Sequence, residues 1–146
     1  MTYRLHASLG YHLSRAARVQ ERRLEEGLRM LGLTRTTWCI LLAVGNEGLV
    51  QPSEIAEFVG IDRTATSRAL RAMEADGLIS RAAGNGDGRT TAVRLTKLGR
   101  AHLARGTPMA EANNAVMRAR LAPAEAEELT RLLARLTEGE ALLKTF

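Results

Sequence analysis

Leucine and alanine recur at helical intervals along most of this chain, and two short runs near its middle break that rhythm. Leu5, Leu9, Leu13, Ala16, Leu24 and Leu28 follow one helix face with a single gap over Gln20, and Gly32 ends the run. The spacing predicts one long helix from about Tyr3 to Met30. At 1.5 Å per residue it would be roughly 40 Å long, longer than the diameter expected of a compact domain of this size. Such a helix projects from its core, and its apolar stripe needs a partner.

Punctuation along the rest of the chain predicts five more helices and a hairpin. Thr34 is placed to cap a second helix, Arg35 to Val44, stopped by Gly45-Asn46. Gln51-Pro52-Ser53-Glu54 opens a third, with Pro52 at the first helical position and Glu54 able to close a capping box; Gly60 ends it. Asp62 caps a fourth, Arg63 to Ala75, which Asp76-Gly77 terminates. Leu78–Ala82 and Thr91–Leu95 read as strands joined by the glycine-rich stretch Ala83–Thr90. Thr96 caps a fifth helix, which Pro108 should kink by removing a backbone donor. A sixth begins at Pro123 and carries Leu129, Leu132, Leu133 and Leu136 at core spacing. The fold class is mainly α with a small antiparallel β-hairpin. Two short helices, a three-residue turn (Gly60-Ile61-Asp62) and a hairpin make a winged helix-turn-helix plan.

Composition narrows the class. With 146 residues, 45% apolar and 25% charged, the chain is one globular domain able to bury a core. Its N-terminus lacks the apolar stretch of a signal peptide. The longest apolar run, Trp38 to Val44, is too short to span a bilayer. Cys39 is the single cysteine, so no internal disulfide can form. A cytoplasmic location and no membrane partner are expected.

Charge adds the functional clue. Residues 63–100 hold eight basic and three acidic side chains, a net of +5 that equals the net charge of the whole chain. A positive field focused on one compact segment is the signature of a polyanion partner. Nineteen of the 21 basic residues are Arg, which suits bidentate contact with phosphates and guanine edges. Coding bias accounts for the Arg preference equally well, but not for the clustering. Projected at the helical period, Arg63, Thr64, Ser67, Arg68 and Arg71 fall on one face of the fourth helix, while Ala65, Thr66, Ala69, Leu70 and Met73 fall on the other. The polar set contains three Arg, two hydroxyls and no acid. An ordinary solvated helix mixes its signs through i,i+4 pairs; this one is suited to the major groove. At the hairpin tip, Arg89 is placed to enter a narrow minor groove, with Asp87 able to orient it.

Leu33-Thr34…Trp38, Ser53-Glu54-Ile55-Ala56-Glu57, Gly60-Ile61-Asp62-Arg63, Met73-Glu74…Gly77-Leu78-Ile79…Arg81 and Asp87-Gly88-Arg89…Leu95-Thr96…Gly99 occur in that order. Together they resemble the MarR (multiple antibiotic resistance regulator) family of bacterial transcription factors, and the resemblance spans nearly the whole chain. It implies an obligate homodimer, with residues 1–32 and 100–146 as interlocked dimerisation helices and 33–99 as the DNA-binding lobe. It implies a repressor that binds a pseudo-palindromic operator on double-stranded DNA and is released by a small ligand or an oxidant. By position, Arg63, Thr64, Ser67 and Arg68 match major-groove readers and Arg89 the wing arginine. Two departures stand out. Thr66 replaces a usual aliphatic residue, which would loosen the packing beneath the helix, and Gly88 leaves the wing with less charge.

A small aromatic or phenolic effector is implied in the cleft between dimerisation helices and lobe, with Tyr11, His12, Arg15 and Trp38 as candidate lining. Cys39 is expected on a buried helix face, with a redox role as the less favoured alternative. His6, His12 and His102 are scattered, so no metal site is expected. No cofactor and no catalytic site are expected, since no nucleophile motif or general-base pair stands out. The competing class is a winged-helix protein-interaction module without DNA binding.

Overall fold

A computed structural model describes residues 1–83 and 91–140. A 3-10 turn, Leu5–Ala7, precedes α1(Leu9–Arg29), α2(Arg35–Gly45), α3(Pro52–Val59), α4(Arg63–Ala75), β1(Ile79–Ala83), β2(Thr91–Leu95), α5(Lys97–Arg118) and α6(Pro123–Thr137). The two strands pair antiparallel, with Ile79 opposite Leu95 and Ala83 opposite Thr91. The architecture is mainly helical with one two-stranded ribbon, as the apolar pattern predicts.

Caps decide most of the boundaries. Thr34 accepts from the Thr37 amide and Thr37 returns the bond, a reciprocal box that starts α2. Asp62 Oδ1 accepts from the Ala65 amide at 2.7 Å to start α4, and Thr96 accepts from the Gly99 amide to start α5. Two expectations need correction. The N-terminal helix is not continuous from Tyr3: Ser8 is extended, and its hydroxyl accepts from the Tyr11 amide, so α1 starts at Leu9. A serine that caps locally interrupts a helix whose leucine spacing runs straight through it. The capping box at α3 does not form, because its N-cap is Gln51, which makes no side-chain cap bond. Pro108 lies inside α5 without ending it.

The core lies within the winged lobe. Trp38, Ile40, Leu41, Ile55, Leu70, Met73, Ile79 and Val93 are all buried there, joined by Leu28 from the end of α1. Thr66 belongs to this layer at 1% exposure, and its hydroxyl donates to the Asp62 carbonyl at 2.8 Å. The expected loosening is therefore offset: the buried hydroxyl is satisfied, and burial without that bond would be costly. By contrast, α1 buries only Leu28 fully and α6 only Ala126. Leu129, Leu132, Leu133 and Leu136 lie 40–49% exposed along α6.

The ribbon is rooted at one corner. The Thr96 hydroxyl donates to the Gly77 carbonyl at 2.5 Å, and its amide to that of Leu78 at 3.1 Å. The Val93 amide donates to the Val50 carbonyl at 2.8 Å, tying β2 to the link between α2 and α3. Gly99 packs so closely on the Leu78 carbonyl oxygen that a Cβ there would overlap it.

Candidate nucleic-acid interface

The turn between α3 and α4 takes three residues, each for a physical reason. Gly60 adopts φ 81°, a left-handed conformation that other residues reach only with strain. Ile61 turns inward and is buried, with its amide on the Ala56 carbonyl. Asp62 then caps α4. This turn sets the polar side of α4 outward: Arg63, Thr64, Ser67, Arg68 and Arg71 are all exposed. Thr66, Leu70 and Met73 anchor the opposite side in the core, with Ala65 and Ala69 half-buried beside them. The Arg71 Nε donates to the Ser67 carbonyl at 3.4 Å, which lays its stem along the helix.

The polar side also holds a residue that the five-residue projection left out. Glu74 stands eleven positions after Arg63, about three turns on, so an acid does share this face at its far end. It is exposed, and Arg81 of β1 meets it, with Nε and Nη2 at 3.0 and 2.6 Å from the same carboxylate oxygen. The spacing of Glu74 was readable beforehand; the identity of its partner was not. Asp87 and Arg89 lie outside the described residues.

The four residues expected to line an effector site are not brought together. His12 and Arg15 line a groove of about 510 Å³ between α1 and α5, together with Val19, Arg23, Val116 and Arg120. Tyr11 stacks on His6 at 4.8 Å between ring centroids, and His12 Nε2 lies 2.9 Å from the His6 carbonyl. Trp38 is only 3% exposed, because its indole packs flush on Gly106 of α5. That close approach is what a small residue at 106 permits, and it places Trp38 in the joint between α2 and α5 rather than in the groove. A second cavity, about 620 Å³, opens between the end of α2, strand β2 and α5. Val44, Val93 and Leu103 supply apolar lining there, and Asn46, Arg94 and Arg100 polar lining.

Cys39 is half-buried, and burial pushes its thiol above the ordinary value while Arg35 pulls it back by less. A redox-sensing thiol needs the opposite balance. Among the described residues no cluster of His, Cys, Asp or Glu is arranged to hold a metal ion, and no helix is long and apolar enough to cross a membrane.

Helix, three-residue turn, exposed basic helix and rooted ribbon define a winged helix-turn-helix protein. The sequence model of the MarR family matches residues 31–90. The HTH-type transcriptional repressor Rv2887 of Mycobacterium tuberculosis is 30% identical over 130 residues, 89% of this chain and 94% of that one. Its crystal structure, a MarR family protein in complex with salicylic acid, superposes with a TM-score of 0.67 at 31% identity, covering 89% and 96% of the two chains. A "probable transcriptional regulator" from Pseudomonas aeruginosa superposes with a TM-score of 0.82 at 32% identity, over 91% of this chain and 99% of that one. The C80S mutant of Escherichia coli MarR, solved with operator DNA, shares the fold at 22% identity and a TM-score of 0.81, over 88% and 92% of the chains. This chain belongs to the MarR family of transcriptional regulators.

Proposed function

We propose that the protein is a cytoplasmic repressor that binds a pseudo-palindromic operator as a homodimer and leaves it when a small aromatic or phenolic acid binds. The observation that carries this reading is the exposed face of α4. Arg63, Thr64, Ser67, Arg68 and Arg71 all point to solvent from a helix whose other side is locked into the core. Arg63 and Arg68 would read base edges, Thr64 and Ser67 would reach phosphates or bases, and Arg71 and Arg89 would hold the backbone and minor groove. Operator DNA in the Escherichia coli relative's structure supports the same use of the fold here. Two copies of α4 one turn apart would demand half-sites about 10 bp apart.

Arg68→Ala is expected to weaken operator binding by about 1–3 kcal/mol and to relax base preference at the position it reads. A gel-shift series over operator variants checks both; unchanged affinity and preference would remove Arg68 from the interface. A protein-interaction module would show no affinity for generic duplex at low salt, whereas a DNA-binding protein loses affinity steeply as salt rises.

Dimerisation through residues 1–32 and 100–146 is supported by the four exposed leucines of α6. The groove between α1 and α5 has matching chemistry: Val19 and Val116 for apolar contact with those leucines, and Arg15, Arg23 and Arg120 to face Glu125, which shares the leucine side of α6. A partner helix seated there would cover the groove that contains His12 and Arg15. We therefore propose the other cavity for the effector, where Arg94 and Arg100 suit a carboxylate and Val44, Val93 and Leu103 suit a ring. Salicylic acid in the Rv2887 structure supports this ligand class. Salicylate is expected to release operator from the wild-type protein, and Arg100→Met to raise the concentration required about tenfold, the loss of one charged contact. Anisotropy titrations with and without ligand measure this; equal sensitivity of the two proteins would place the site elsewhere.

A further inference from the structure

We infer that Glu74 and Arg81 form a positioning pair that sets the angle between α4 and the ribbon, an inference that rests on the operator-binding reading above. Glu74 is out of place by two elementary criteria. It shares the DNA-directed face of α4, where its charge repels phosphates. It also stands in the last turn of the helix, where a negative charge opposes the macrodipole and where α4 has no basic residue.

Arg81 resolves both conflicts. It reaches from β1 to place two guanidinium donors on Glu74 Oε2, at 3.0 and 2.6 Å. The pair is partly shielded, with the Arg81 side chain 27% and that of Glu74 41% exposed. Arg81 lies opposite buried Val93 in the ribbon, whereas Ser80, on the other face of β1, lies opposite exposed Arg94. The alternation of the strand thus turns Arg81 toward α4 and leaves Arg94 for other contacts. One cation of the cluster, Arg81, is therefore committed to holding the ribbon.

Two charge-assisted donors converging on one oxygen fix where the guanidinium meets the carboxylate. The bonds of Thr96 to Gly77 and Leu78, and of Val93 to Val50, fix the root of the ribbon. The Glu74–Arg81 contact ties β1 to the side of α4 itself, and so sets its tilt. Operator binding that needs helix and ribbon in two grooves at once depends on that tilt.

Two physical pictures predict opposite signs. If only charge mattered, Glu74→Gln would remove a negative charge beside DNA and free a positive one, tightening binding to any duplex. If the pair positions the ribbon, Glu74→Gln and Arg81→Lys should each lower the ratio of operator to unrelated-duplex affinity by about fivefold, the scale of one broken coupled contact. Unrelated-duplex affinity should stay level or rise in Glu74→Gln. The exchange Glu74→Arg with Arg81→Glu should restore most of the ratio. Fluorescence anisotropy on both duplexes reads these values, with thermal melting to confirm folding; Arg81→Lys, which keeps the charge, carries the test if Glu74→Gln folds poorly. An unchanged or higher ratio in the single variants would overturn the inference. A wild-type protein with no operator preference would instead overturn the operator-binding reading beneath it.

Discussion

Leu129→Glu combined with Leu133→Glu should convert the protein to a monomer and lower operator affinity by a factor of about 10²–10⁴, the gain that two linked binding modules have over one. The reasoning begins with burial. Both leucines are exposed, at 45% and 41%, on a helix that buries only Ala126 within its own chain. Neither contributes to the lobe's core, so carboxylates there leave the protomer's fold intact. In a dimer the same positions would be covered, and a carboxylate in place of an apolar side chain would be desolvated there at a cost. Leu129→Glu would also stand one turn after Glu125 on the same face of α6, a like-charge i,i+4 pair. Sedimentation should show a species of 15.9 kDa, and circular dichroism should show retained helix. A double variant that remains dimeric, or a monomer that binds operator as well as the parent, would exclude α6 as the interface.

Gly99→Ala should be the most damaging small substitution in the lobe. A Cβ at this position overlaps the Leu78 carbonyl oxygen, a backbone atom that cannot rotate away. Leu78 is itself held at both ends, by its amide on Met73 and by the Thr96 amide on its carbonyl. The corner joining α4, β1, β2 and α5 would have to open. Overpacking of this kind costs about 3 kcal/mol, at the upper end of the usual range, which at this chain length lowers the melting temperature by about 6–12 °C. Gly10→Ala is the control. Nothing lies within 4 Å of a Cβ there, and the position is inside α1, so alanine should be neutral or slightly stabilising. Thermal unfolding of the pair decides the matter: equal melting temperatures would mean that the corner yields more readily than its hydrogen bonds imply.

Much of this was legible in local chemistry. Caps at Thr34, Asp62 and Thr96 and stops at Gly60 and Gly77 act within one helical turn, so their positions can be read without knowing the fold. The two-faced character of α4 is likewise a matter of period. What misled was competition between local signals. Leucine spacing ran through Ser8, where a hydroxyl cap prevailed, and Glu54 suggested a box that Gln51 did not complete. Thr66 looked like a weakness because its buried partner, the Asp62 carbonyl, is a backbone group with no signature of its own.

The structure separates the four candidate effector residues for a different reason. Tyr11, His12, Arg15 and Trp38 were grouped by chemical type, but only packing decides which face each presents. Gly106 admits the indole of Trp38 into the joint with α5, and His6 engages Tyr11. The cavity built by Val44, Arg94, Arg100 and Leu103 draws on residues up to 59 positions apart, so no local window could assemble it.

The sequence by itself determined most of the helices, the caps at Thr34, Asp62 and Thr96, the positive cluster and the amphipathic recognition helix, because each depends on interactions spanning a turn or less. Only the tertiary structure decided which cations face outward, which one is bound to Glu74, and where a cavity opens. Those outcomes depend on how distant segments approach one another, and that is set by the shape of the packed core rather than by the order of residues along any one element.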